Sequence, residues 1–184
     1  MKKLNVPYFS QLNNDRYTKL GQYIAEGNTQ CNPTSNAMAL AYLKPDFLVK
    51  AKALGYAEPE SYFNSLLYPY GVVTDHGAIT QCLKKEFGIT SEWSYSIEKK
   101  TIIAQLDKNK PVPMGVKYKS SGHIVCCVGY TDSGLLIHDP YGIRYGIEEA
   151  YDVGADGSFD KYSWPVLKEV YWDLGSQAGW GRLF

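Results

Sequence analysis

The sequence predicts a single α+β domain over residues 1–184, a helical first half followed by an antiparallel sheet. Three observations predict it. A chain of 184 residues has the length of one ordinary domain and can bury a core without disulfide staples. Hydrophobic residues make up 45% and charged residues 21%, a balance that separates the chain from disordered ones. The apolar spacing changes character once, near Pro111, from helical to short strand-like runs divided by turn residues.

The elements follow in order. Asn5–Ser10 read as extended, since Pro7 disfavours helix in the residue before it. Residues 11–30 are polar and rich in Asn and Gly, and read as irregular loop. A helix then starts around Cys31. Asn32 can cap it, Pro33 has the fixed φ of a first-turn residue, and Ala37, Leu40 and Ala41 form one apolar stripe. It stops before Pro45, which leaves Cys31 at or just before the helix N-terminus. Further helices are expected at 46–54, 59–68, 76–87 and 98–108. Gly88 ends the third of these, Ser96 or Glu98 opens the last, and Asp107–Pro111 closes it.

Beyond Pro111, Val112–Tyr118, His123–Tyr130 and Leu135–His138 read as strands, the last two forming a hairpin across Thr131–Gly134. Arg144–Glu149 is a further candidate strand. Asp152–Asp160 is an acidic loop without the ligand spacing of a calcium site. Ser163–Trp172 reads as a short helix with Pro165 in its first turn. The tail Gly179–Phe184 is apolar enough to dock on the body, and Trp164, Trp172 and Trp180 either bind substrate or pack that tail, packing being the preferred reading.

Composition narrows the function. Lys+Arg and Asp+Glu are 19 each, so the net charge is zero, and no basic patch marks a nucleic-acid or membrane partner. No apolar run approaches the roughly 20 residues of a membrane helix. Met1–Pro7 is charged but lacks the apolar stretch of a secretory signal, so cytoplasmic synthesis is expected. The four cysteines, Cys31, Cys82, Cys126 and Cys127, form no CxxC pair, and adjacent Cys126 and Cys127 would point to opposite faces of a strand. With only His76, His123 and His138 besides, no metal and no cofactor are expected. The thiols read as reduced and the chain as a monomer. Sixteen tyrosines suit a half-buried β surface or a binding groove alike.

Three residues form a candidate chemical constellation. Cys31 opens a helix, whose free N–H groups and macrodipole stabilise a thiolate. Cys82, Cys126 and Cys127 lie in apolar patterns and read as small buried hydrophobes. His123 opens the run Ile124–Tyr130, apolar on both faces and so a central strand. His76 and His138 read as structural. Asp139 ends the second hairpin strand before Pro140. A hairpin loop of even length pairs Tyr130 with Leu135 and turns Asp139 away from His123. A three-residue loop, with Gly134 in the left-handed conformation, pairs Tyr130 with Gly134 and sets Asp139 opposite Val125, diagonal to His123 at roughly 7–8 Å. The residue types suit nucleophilic catalysis. A thiol needs a base, an imidazole can take its proton and return it to a leaving amine, and a carboxylate can orient that imidazole. The oxyanion needs donors, here the Cys31 N–H and an amide from Gln11, Gln22 or Gln30.

The ordered pieces Val6–Gln11, Cys31–Met38, Lys110–Val116, Gly122–Tyr130 and His138–Gly142 resemble the papain-like cysteine peptidases, and within them the double-glycine (bacteriocin-leader) peptidase-like family. The resemblance implies Cys31 as nucleophile, His123 as general base, Asp139 as the orienting acid and Gln11 as an oxyanion donor, with Gln30 as second choice. The family usually has Gly after the nucleophile, where Asn32 stands here. A freestanding domain of this kind resembles hydrolases acting on bacterial cell-wall peptides, such as phage endolysins. A non-catalytic peptide-binding module on the same fold, and a transpeptidase similar to phytochelatin synthases, are the alternatives.

Overall fold

The computed structural model describes residues 1–184 throughout. Strand β1 (Lys2–Lys3) and an extended segment lead into a long connection with two 3-10 turns, Gln11–Asn13 and Gly27–Thr29. Four helices follow: α1 (Cys31–Leu43), α2 (Asp46–Ala53), α3 (Pro59–Leu67) and α4 (His76–Phe87). Pro59 opens α3 in the first-turn position proline favours. Asp75 caps α4 by accepting from Gly77 and Ala78 N–H, and Gly88 ends it at φ 68°.

The rest is β2 (Glu92–Ile97), α5 (Lys99–Asp107), β3 (Val112–Val116), β4 (His123–Thr131), β5 (Gly134–His138), β6 (Gly142–Arg144), β7 (Tyr151–Val153), β8 (Asp160–Ser163), α6 (Trp164–Val170) and β9 (Gly179–Leu183). The main sheet runs β2-β9-β3-β4-β5-β8, with β1 also on β4, and every pairing is antiparallel. Strands β6 and β7 form a separate ribbon. The chain is α+β, as expected.

Helix α1 decides the architecture. Its residues Ala37 to Ala41 are all buried. Met38 and Ala39 join the core built on β3, β4, β5 and α5. Ala37, Leu40 and Ala41 join a second core with α2, α3 and α4. A helix apolar on more than one face is buried on more than one face, and the small alanines allow close approach.

Several expectations need correction. Glu92–Ile97 is a strand, not the approach to a helix, so the helical half contains one edge of the sheet. Its partner is the tail: Gly179–Leu183 does not merely dock but forms β9 between β2 and β3. Trp93, Tyr95 and Ile97 carry strand propensity, yet nothing local supplies their partner, which lies 82–91 residues away in sequence. Arg144–Glu149 is strand only at Arg144, the last residue of β6. Asn32 does not cap α1. Gln30 occupies that position without a side-chain cap bond, and Asn32 lies within the first turn.

The hairpin register combines both readings. Thr131 pairs Gly134 and Tyr130 pairs Leu135, which is the even loop, and Gly134 is not left-handed. A bulge between Cys127 and Gly129 then shifts the ladder by one, so that Cys126 pairs His138. The bulge, not the turn, returns Asp139 to the face of His123. Gly134 is needed for a different reason: a Cβ there would lie 2.2 Å from Tyr162 O.

Candidate active site

The helical and sheet halves meet at a cleft of about 370 Å³. Cys31 is the first residue of α1 and is half-buried in this cleft, with its N–H among the first-turn donors that no helical carbonyl reaches. The other three cysteines are fully buried. Burial pushes the thiols of Cys82 and Cys127 up to about 12, and that of Cys126 well above its ordinary range. Only Cys31 reaches the cleft.

His123 opens β4 at its cleft end and is 4% exposed. Its Nε2 lies 2.7 Å from Asp139 Oδ1, and it shares the cleft with Cys31, whose side chain also acts on the ring. Burial opposes charging this ring. The Asp139 carboxylate and the contact with Cys31 outweigh it and hold the imidazole well above its ordinary value. The arrangement therefore favours a proton on His123.

Asp139 is fully buried and fully engaged. Oδ1 also accepts from Tyr141 N–H at 3.0 Å, and Oδ2 accepts from the Tyr162 hydroxyl at 2.7 Å. Burial and the neighbouring carboxylate push the Tyr162 phenol well above its ordinary value, so it remains a donor. Tyr8 donates its hydroxyl to Asp139 O and accepts from Gly157 N–H, fastening the backbone on either side of the carboxylate. Tyr118, Tyr141 and Tyr151 surround the His123 ring at 5.7–6.1 Å between centroids. Part of the tyrosine surplus thus builds the dry setting of one histidine.

Gln11 lines the cleft beside Cys31. Its backbone N–H donates to Pro140 O, tying the opening segment to the turn after Asp139. Its Nε2 donates to Gly27 O at 3.0 Å, which uses one of that nitrogen's two hydrogens. Gln30 is different. Its Nε2 donates to Ala25 O and Asp15 O, so both hydrogens are taken and the side chain braces the loop behind α1. Gln22 does not line the cleft.

Asn32 shows no sign of needing glycine. It has helical backbone, donates to Val73 O at 3.0 Å, and accepts from Asn36 Nδ2. Asn36 Oδ1 in turn accepts from Arg182 Nε at 2.7 Å. Arg182 is fully buried and also donates to Thr80 Oγ1, Ser91 Oγ and His76 O. It holds the cleft wall made of His76 and Trp180, with Trp93 stacked on His76 at 3.5 Å. Burial first, then Arg182, lower His76 to about 4, so this ring is neutral. His138, by contrast, is enclosed between Val6 O and Phe159 N–H.

Sequence reasoning missed Arg182, His76 and Tyr162, and preferred packing to the cleft for Trp180. For Arg182 a signal existed: a lone charge in the apolar run Gly179-Trp180-Gly181-Arg182-Leu183-Phe184. For Trp180 it was the glycines opposite, since a Cβ on Gly115 would lie 2.3 Å from its ring. No group of His, Cys, Asp or Glu in the chain is arranged to hold a metal ion.

The model of the Peptidase_C39 like family matches residues 3–171. Among solved structures, a crystal structure from Bacillus anthracis assigned as a C39-like peptidase superposes with a TM-score of 0.50 at 17% identity, covering 98% of this chain and 97% of that one. At that identity the likeness speaks to the fold alone. No curated protein matches the chain.

Proposed function

Because the chain belongs to the Peptidase_C39 like family, we propose that it is a papain-like cysteine peptidase that cuts peptide or amide bonds with Cys31, His123, Asp139 and Gln11. The observation that carries this reading is the buried His123, bonded to Asp139 at 2.7 Å and lining the same cleft as Cys31.

The mechanism follows from the groups in place. The Cys31 thiolate attacks the scissile carbonyl carbon, and the carbon–oxygen π bond gives an oxyanion. In this reading the Cys31 N–H and the remaining N–H of Gln11 Nε2 hold it, and the place of both residues in the cleft lining supports that. The tetrahedral adduct collapses, the C–N bond breaks, and His123 delivers its proton to the leaving amine. A water then gives its proton to His123 and attacks the thioester, which releases the acid and restores Cys31. Asp139, held by three donors, keeps the imidazole oriented through both steps.

The substrate in this reading is bacterial cell-wall peptide, as for an endolysin acting after its release from the cell. The open, aromatic-walled cleft supports an extended peptide, with Tyr118, Tyr141 and Trp180 along it. The test is incubation with purified cell walls, wild type beside Cys31→Ala, followed by turbidity and mass spectrometry of released fragments. Cleavage by wild type alone supports the reading and names the bond. Inert walls with rapid alkylation of Cys31 at neutral pH would retain the peptidase and reject the substrate.

A further inference from the structure

The charge distribution around the cleft is lopsided. None of the side chains lining it is acidic, and Lys119 is the one that carries a fixed charge. Two helices open onto it, α1 at Cys31 and α4 at His76, and each brings the positive end of its dipole. Behind the His76 wall lies Arg182, a fully buried cation whose partners are all neutral oxygens. A buried charge without a counter-ion acts through low dielectric and is poorly screened.

The neighbouring acids do not cancel this. Asp139 lies beneath His123 and is bonded to it. Asp75 turns its carboxylate back onto Gly77 and Ala78 N–H, offsetting part of the α4 dipole from outside the cleft lining. Glu26 pairs with Arg16 at 3.2 Å. Lys119 itself sits at φ 49° in the turn closed by Gly122 N–H to Tyr118 O, one step from the strand that carries His123. Trp180 and Arg182 lie in the last strand, beyond the residues matched by the family model.

We propose that the cleft selects substrates bearing a carboxylate next to the scissile bond, an acidic side chain or a free C-terminus, held on the side of Lys119 and the His76–Trp180 wall. The proposal rests on Cys31 as the nucleophile and adds a substrate class to it.

The test uses the full chain and two small reagents. Cys31 is alkylated at pH 7 and low ionic strength with iodoacetate, which is anionic, and iodoacetamide, which is neutral, and the labelled peptide is quantified by mass spectrometry. Lys119→Gln and Lys119→Glu are run beside wild type. Relative to free cysteine, the iodoacetate-to-iodoacetamide rate ratio is expected to be about tenfold higher. It should fall about three- to fivefold in Lys119→Glu and decline with added salt. A ratio that Lys119→Glu leaves unchanged overturns the proposal, because the His123 imidazolium alone would then explain any preference for the anion. Peptides differing only in Glu, Gln or Lys beside the cut bond form the second arm. Faster cleavage of the Glu peptide, lost in Lys119→Glu, supports the proposal; faster cleavage of the Lys peptide overturns it. If no peptide is cut while the alkylation preference and its loss in Lys119→Glu both stand, the peptidase reading fails and the anion-selecting wall remains.

Discussion

Two fully buried charges flank the cleft, and they are handled differently. On the sheet side, Asp139 has a cationic partner in His123 and two neutral donors, Tyr162 and the Tyr141 N–H. On the helical side, Arg182 has no carboxylate at all and is satisfied by four neutral oxygens from α1, α4 and the segment before β2. Burying a charge is tolerable when its hydrogen-bonding capacity is filled, whether or not a counter-ion is present. The difference is in what remains for chemistry. The anion's charge is matched locally by the histidine it orients. The cation's charge is not matched, and it lies behind the His76–Trp180 wall of the cleft.

The largest expected break is on the sheet side. Asp139→Asn keeps the shape but removes the charge, and should lower peptide cleavage about 10³- to 10⁴-fold. The same variant tests a pH dependence. The raised imidazole value of His123 contributes stability that is fully present below about 6.5 and is lost as pH rises through about 10. Melting temperature in wild type should therefore fall across that window, and Asp139→Asn should flatten the fall. A slope that survives the substitution would remove the pair as its cause.

Arg182→Met tests the other charge. It leaves Asn36 Oδ1 without a donor, while His76 O keeps the Thr80 hydroxyl, and should destabilise the fold by about 3 kcal/mol in denaturant titration. If it does, Arg182→Lys should recover only part of the loss, since one ammonium cannot span the four acceptors. Equal stability of both variants with wild type would show that the neutral oxygens do not hold this charge.

Tyr162→Phe sharpens the comparison by removing one neutral donor from Asp139 while leaving its cation. A cost of about 1–3 kcal/mol is expected, with cleavage reduced about tenfold. No change in activity would make the His123 contact sufficient by itself.

The smallest effect concerns a third buried charge-bearing group, Glu60. It is fully buried behind α1, and burial raises its carboxyl to about 8. A carboxyl raised in the folded state favours the fold while protonated, and that advantage is lost as pH rises through about 8. Glu60→Gln should raise the melting temperature at pH 9 and leave it unchanged at pH 5.

Much of this was legible from local patterns. Pro33, Pro45, Pro59 and Gly88 punctuate the helices, because ring closure and left-handed backbone are decided residue by residue. Cys31 at a helix start and His123 at a strand mouth were readable for the same reason. The hairpin register was not. It depends on a bulge at Val128, which trades pairing with one neighbour for pairing with another. The second oxyanion candidate failed likewise, since nothing adjacent in sequence indicates that Gln30 gives both hydrogens to Ala25 and Asp15.

The sequence by itself determined the helical half, the central strands, the family likeness and the identity of the residues able to do thiol chemistry. Those follow from backbone preference and side-chain type, which each residue carries with it. Only the tertiary structure decided that Gly179–Leu183 is an inner strand, that Arg182 lies buried without an acid, and that Trp180 closes the cleft across Gly115. These outcomes depend on which distant surfaces bury one another. That choice is made by the free energy of the whole packed core, to which any one segment contributes only a part.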